Sequence, residues 1–267
     1  MKRHLWLPLL LAPVLFGETL SICASFRDEQ ERFPRVRMAR RQNGSRIGAL
    51  FAAAGISYPP RQIFIRVFKY EAEVELWSLS PAAGCFQKMK TYSICASSGR
   101  LGPKRRQGDG QVPEGFYFID RFNPWSQFHL SLGINYPNAS DRQLAESRDP
   151  GGDIFIHGNC VTIGCIPIRD DPIEELYLIA VDTRSGGQRQ IPVHIFPCRM
   201  DDNEKMLRNL AGGNAERWRF WENIKQGYDY FETHFRLPTI TVDRRGRYVI
   251  DRGSNSPGGG GETGGNS

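Results

Sequence analysis

Apolar and polar positions alternate over residues 62–69 (QIFIRVFK) and again over 73–77, and residues 86–95 give a third segment of the same kind. Alternation with period two places every second side chain on one face of a strand, so the centre of the chain begins as an antiparallel meander. Residues 115–122 and 128–132 return to strand character. Residues 154–157 form a short, fully apolar strand that ends on a histidine, and 191–196 form another strand. Helical spacing takes over elsewhere. Residues 47–54 read as the end of an amphipathic helix closed by Gly55 and the pair Pro59 and Pro60. Residues 172–181 form a helix with Asp170 and Asp171 placed to cap it. Residues 215–235 carry Trp218, Phe220, Trp221, Ile224, Tyr228 and Phe231 mostly at helical intervals, which predicts a C-terminal helix packing aromatic side chains on the core. Two short strands, 239–242 and 247–250, flank Gly246 as a closing hairpin.

Between these elements, residues 99–113 are rich in Gly, Lys, Arg and Gln without apolar periodicity, which predicts a long loop crossing the functional face. The pattern divides the chain into a signal peptide at 1–24, a helical N-terminal arm at 25–60, a central domain at 61–198, a helical extension with a hairpin at 199–252, and a disordered Gly-rich tail at 253–267. The first segment has Lys2, Arg3 and His4 followed by an apolar run to Phe16, the plan of an export signal and too short to span a bilayer comfortably. A periplasmic protein is expected, with an uncleaved anchor as the alternative.

Length and composition change this picture little: 267 residues, 40% hydrophobic and 24% charged, suit one core with extensions. The net charge of +6 favours an anionic partner. Basic residues are scattered in short clusters, at Arg40 and Arg41, 104–106, and Arg244 and Arg245, with no nucleic-acid motif beside them, so nucleic acid is not expected as a partner. Of six cysteines, removal of Cys23 with the signal leaves five, an odd number that leaves one thiol unpaired in an oxidising compartment.

The chemistry concentrates in IFIHGNCVTIGCIPIR at 154–169. His157 sits at a strand end before Gly158, and Cys165 follows Gly164, whose missing side chain permits a sharp turn and close approach to the backbone. A neighbouring imidazole that takes the thiol proton makes Cys165 a competent nucleophile, and the ion pair so formed lowers the thiol pKa. Backbone N–H groups around Ile163, Gly164 and Cys165 are the expected oxyanion donors. Two other readings use the same residues: a zinc site of His157, Cys160 and Cys165, or a structural Cys160–Cys165 disulfide with His157 satisfied in the core. Residue types alone leave these open.

The block resembles the L,D-transpeptidase catalytic domain, the YkuD-type domain, whose signature is His-Gly at a strand end and a later Ser/Thr-x-Gly-Cys. His157 and Gly158, then Thr162, Ile163, Gly164 and Cys165, stand in those places. GPKRRQGDG at 102–110, PEGFYFI at 113–119, YPNASD at 136–141 and FWENIKQGYDYFE at 220–232 resemble the YafK-like subgroup. The resemblance implies a mainly β fold with flanking helices (α+β), an L,D-transpeptidase-type β-sandwich, with Cys165 as nucleophile and His157 as general base. It needs no cofactor and no metal. Its partners would be peptidoglycan stem peptides containing diaminopimelate and a lipoprotein linked to them. Asn138, Asp141, Lys104 and Thr162 are the further candidates for holding substrate. The chain departs from the family in a shortened segment between His157 and Cys165 and in Pro167, which stands where Arg is usual two residues after the cysteine. On these grounds hydrolysis of the link between the wall and an attached lipoprotein is expected, the alternatives being cross-link formation and, in another class, a non-catalytic wall-binding module. Cys85, Cys95, Cys160 and Cys198 remain for two disulfides, with Cys95 to Cys160 expected because it would tie a central strand to the loop beside the nucleophile.

Overall fold

A computed structural model describes residues 24–201 and 204–251. The expected export signal, except for Ala24, and the expected Gly-rich tail lie outside the described residues. Eight strands form one mixed sheet: β1 (Ile63–Phe68), β2 (Glu73–Ser80), β3 (Cys85–Ser93), β4 (Gly115–Asn123), β5 (Ser131–Ile134), β6 (Phe155–His157), β7 (Ile166–Pro167) and β8 (Ile191–Phe196). Their order across the sheet is β3-β2-β1-β8-β4-β5-β6-β7. The β1–β8 and β6–β7 pairs are parallel and the rest antiparallel. The helices are α1 (Phe26–Glu31), α2 (Pro34–Ala53), α3 (Ala139–Gln143), α4 (Asp170–Ser185), α5 (Glu204–Ala211) and α6 (Ala215–His234), and β9 (Thr239–Val242) pairs with β10 (Tyr248–Asp251) as a hairpin. The α+β class expected from the sequence is the class observed.

The expected half-exposed alternation of β1 is not what forms, because both faces of the strand are covered. Ile63, Ile65 and Val67 join Val193 and Ile195 of β8 in a core closed by α2 and α4. The opposite face presents Phe68 and Phe196 to Trp221, Ile224 and Tyr228 of α6, while Phe64 packs with Trp77 and Phe231. Arg66, polar in the sequence pattern, is therefore buried. Its guanidinium lies 4.8–5.0 Å from the ring centroids of Phe68, Tyr228 and Phe231, and one nitrogen is 2.6 Å from Glu232 Oε1. A buried arginine is tolerated only with such compensation. His194 shares this layer between Phe64 and Phe116, and burial together with Arg66 holds its pKa down at about 3, so it is neutral at ordinary pH.

Register shifts at Leu76/Trp77 in β2 and at Ile119/Arg121 in β4 break the ladder regularity, and such bulges add twist to a sheet. The sheet curls until its two ends meet: Cys95 N, just past β3, donates to Pro167 O of β7 at 3.0 Å. Cys95 is also disulfide-bonded to Cys160 in the β6–β7 loop. The expected pairing thus forms, although β3 is an edge strand and not a central one. The expected second disulfide is absent: Cys85 and Cys198 are free. Cys85 pairs with Ser80 at the end of the sheet where β1 begins, whereas Cys198 follows Phe196, which pairs with Phe68 where β1 ends.

The 65-residue separation of Cys95 and Cys160 makes their bond a large constraint on the unfolded chain, worth about 4 kcal/mol in the chain-entropy model. Cys160→Ser should therefore lower the unfolding free energy by about 2–4 kcal/mol in guanidinium titrations, and reductant should shift the unmodified chain but not the variant. Equal midpoints for the variant and the oxidised chain would show that the latch carries no stability.

Candidate active site

His157 closes β6, and Cys165 immediately precedes β7. Ile156 lies opposite Ile166 and His157 opposite Pro167 in the parallel ladder, so positions 157 and 165 belong to the same face of neighbouring strands. The imidazole is buried, with Nδ1 2.5 Å from Gly158 O. A carbonyl oxygen only accepts, so Nδ1 carries the proton and Nε2 keeps its lone pair. The Phe128 ring covers the imidazole at a centroid distance of 4.7 Å. Burial lowers the His157 pKa below its ordinary 6.5, against the opposing hydrogen bond to Gly158.

Gly158 is needed here for space. A Cβ at this position would come within 2.6 Å of Asp170 Oδ1 and 2.8 Å of Phe128 O. Asp170 was expected as a cap for α4, but Arg169 is the N-cap residue and makes no side-chain cap bond. Asp170 instead turns back and accepts from Asn159 N at 2.7 Å, fixing the strand exit after His157. Phe128 is held from the N-terminal arm, where Arg35 of α2 donates to Ser126 O at 2.8 Å and to His129 O.

Gly164 has φ +133°, and a Cβ there would lie 3.1 Å from Gln111 O, so the 99–113 loop rests directly on the turn that carries Cys165. Thr162 organises that turn: its Oγ1 accepts from Cys165 N at 2.8 Å and Gly164 N at 3.1 Å and donates to Cys165 O at 2.8 Å. This corrects the oxyanion reading, because the amides of Gly164 and Cys165 already have an acceptor. Thr162 is thereby a turn residue, and Ile163 presents its side chain to solvent at 90% exposure. The Cys165 thiol donates to Asp153 O at 3.5 Å. Burial raises its pKa above the ordinary 9.0, with Asp153 adding to the rise and a Phe155 backbone hydrogen bond and Lys104 opposing it. Thiol and imidazole are thus both neutral at rest, not the ion pair expected from their proximity in sequence. Cys160 is committed to Cys95, which removes both the zinc reading and the Cys160–Cys165 bridge.

Cys165 lines a groove of about 270 Å³ together with Tyr70, Ser97, Ser98, Arg100 and Val112. Three expected substrate residues, none of which lines this groove, are engaged in contacts within the protein. Lys104 is buried and donates to Asp109 Oδ1 at 2.6 Å and Arg106 O at 2.8 Å, so its ammonium folds its own loop. Asn138 caps α3, accepting from Asp141 N and donating to Phe116 O and Tyr248 Oη. Asp141 completes that capping box, is buried, and is pushed up to about 6 by burial. The sequence reading missed Lys69. It is buried and donates to Gly102 O, Val112 O and Glu114 Oε1, each at 2.9 Å. Glu114 also accepts from Gly102 N and from Trp221 Nε1 of α6, both at 2.7 Å, so one carboxylate ties the loop to β1 and the C-terminal helix.

A family model described as L,D-transpeptidase catalytic domain matches residues 86–195. The Escherichia coli (strain K12) protein YafK, which carries the name of an L,D-transpeptidase, is 37% identical over 192 residues, 71% of this chain and 74% of that one. Its counterpart in Escherichia coli O157:H7 gives the same figures. Among solved structures, the helical cell shape determining protein Pgp2 from Campylobacter jejuni (K307A mutant) is 19% identical with a TM-score of 0.43, covering 66% of this chain and 61% of its own. Bdellovibrio bacteriovorus Bd1075 is 21% identical with a TM-score of 0.39, covering 65% and 62%.

A neutral resting pair makes a specific demand on reactivity, since only thiolate is alkylated. The rate of Cys165 modification by iodoacetamide should stay low from pH 6 to 8 and climb only above about pH 9. Fast, flat alkylation from pH 5 upward would reveal a thiolate–imidazolium pair and overturn this account.

Proposed function

Because the chain belongs to the L,D-transpeptidase family, whose members act on peptidoglycan, we propose that it is a periplasmic cysteine acyl-transfer enzyme that hydrolyses the link between a diaminopimelate-containing stem peptide and an attached lipoprotein. The observation that carries the catalytic part is the imidazole with its Nδ1 proton given to Gly158 O and its Nε2 free, on the same sheet face as a thiol lining a groove. Cys165 Sγ attacks the carbonyl at the L-centre of diaminopimelate as His157 Nε2 takes the thiol proton. The tetrahedral intermediate so formed carries its negative charge on the former carbonyl oxygen. Collapse expels the attached amine, which leaves with the proton held on His157, and a thioester remains on Cys165. Water, deprotonated by the same imidazole, releases the acid and restores the thiol.

Hydrolysis is preferred to transpeptidation because seven residues separate His157 from Cys165 and their loop is pinned to Cys95. A transpeptidase has to hold a second peptide against the thioester and exclude water, and this short, tethered loop gives little material for that wall. No helix among the described residues is long and apolar enough to cross a membrane.

Incubating wall fragments that carry bound lipoprotein with the enzyme and excess free stem peptide, followed by mass spectrometry, tests the reading. Released protein and an unmodified diaminopimelate end are expected, with at least about a thousandfold loss in Cys165→Ala or His157→Ala. New diaminopimelate-to-diaminopimelate cross-links would make the enzyme a transpeptidase, and full activity in Cys165→Ala would remove the mechanism.

A further inference from the structure

Beyond the groove that holds Cys165 lies a second, more polar one of about 330 Å³, and the two share Gly99 and Arg100 as a common wall. Its cationic lining is Arg100, Arg105 and Arg106. Five arginines elsewhere on this basic chain are used internally: Arg27 and Arg40 pair with Asp182, Arg46 with Glu175, Arg121 with Asp153, and Arg199 with Glu73 and Glu75. Arg100 and Arg106 are exposed, and among the described residues neither guanidinium is engaged by a protein acceptor. Their backbones, by contrast, are fixed. Arg100 N donates to Gln111 Oε1 at 2.5 Å and Arg106 N to Asp109 Oδ2 at 3.2 Å.

Three arginines against two carboxylates, Asp109 and Glu146, leave this lining net positive. Asp109 is spent on Lys104 Nζ and on the backbone N–H groups of Arg105, Arg106 and Gln111; burial works to raise its pKa, and these contacts together outweigh it and hold the pKa below its ordinary value. Glu146 is exposed at the rim, its own N–H donating to Arg105 O. Beneath the groove Arg105 is buried, 4.9 Å from the Phe220 ring centroid and 3.8 Å from Asp141, and its Nη1 makes no hydrogen bond. Two uncommitted guanidinium groups on a rigid loop, with a third positive charge under them, form a pre-set receptor for carboxylates.

We propose that this groove is a second anchoring site that takes free carboxylates of the peptide whose diaminopimelate acylates Cys165. The inference rests on the function proposed above and adds to it the part of the substrate that is recognised. A diaminopimelate-containing stem has carboxylates to offer at the D-centre of that residue and at its γ-linked glutamate. Arg100 faces both grooves, so one peptide can reach the thiol with its L-centre while its acidic portion lies across the loop. Binding energy gained there holds the peptide equally in the ground state and the transition state, without touching the reacting carbonyl.

The test uses a synthetic γ-glutamyl-diaminopimelyl peptide whose L-centre is closed by an amide to a short peptide, and a second version in which the free carboxylates are converted to amides. Titrated into the Cys165→Ala chain, the acid form should bind at least tenfold more tightly than the amidated form. Arg100→Ala and Arg106→Ala should each cost about three- to tenfold for the acid form only, and the double variant should erase the preference. In the active chain the double variant should raise KM about tenfold or more with kcat within twofold, and leave iodoacetamide modification of Cys165 unchanged. Equal affinity for both peptides, or arginine variants that bind the acid form normally while turnover proceeds, would refute the anion groove and leave the proposed reaction standing. Failure of the unmodified chain to bind or turn over either peptide would remove both.

Discussion

The meeting of the two sheet edges at Cys95 is the constraint on which the site depends. β7 contributes only two residues, and β6 three, too few to hold a register by ladder bonds alone. Cys95 supplies what they lack: its N–H bonds Pro167 O and its sulfur bonds Cys160, so the seven-residue connection from His157 to Cys165 is fastened near its middle and beyond its end. Because that connection carries both chemical groups, the curl of the sheet and the position of the thiol are one structural fact. The bulges in β2 and β4 matter to function for this reason, since a flatter sheet would leave β3 and β7 apart.

Around this latch, buried polar groups fix what the short strands cannot. Glu114 joins Lys69, Gly102 and Trp221, so the loop over the thiol answers to the sheet and to α6 together. On the other side Arg35 and Asp170 hold the segments that press Phe128 and Gly158 against His157. The outcome is a dry imidazole with a defined tautomer and a thiol kept neutral by burial. Such a pair suits proton transfer during attack and not a standing thiolate, in keeping with the proposed role of Cys165 as a nucleophile unmasked by its substrate.

The sequence was informative where local chemistry is self-contained. His157 with Gly158, Thr162 with Gly164 and Cys165, the α6 helix and the Gly246 hairpin all announce themselves by short spacing. It was misleading where a residue's duty is set by a distant partner. Asn138 and Asp141 looked like substrate ligands because polar residues in a loop often are, but their spacing is that of a capping box, a signal present in the sequence and overlooked. Lys104 looked free because nothing in the loop pattern of 99–113 says that Asp109, five residues on, folds back to pair with it. Lys69, Arg66 and the second face of β1 could not be read at all from period-two alternation, since nothing local says that α6, some 150 residues later, covers that face. The oxyanion amides failed for a subtler reason: the hydroxyl that shapes the turn is also their acceptor.

The claim at the centre of the account is a thioester on Cys165. Rapid acid quench of the enzyme with a diaminopimelyl peptide amide, then intact-mass measurement and peptide mapping, reads it directly. The account predicts an added mass equal to the acyl portion of the peptide, confined to the fragment containing Cys165, labile to hydroxylamine and absent in Cys165→Ala. Product formation with no adduct at any time point, or an adduct on another residue, would contradict it.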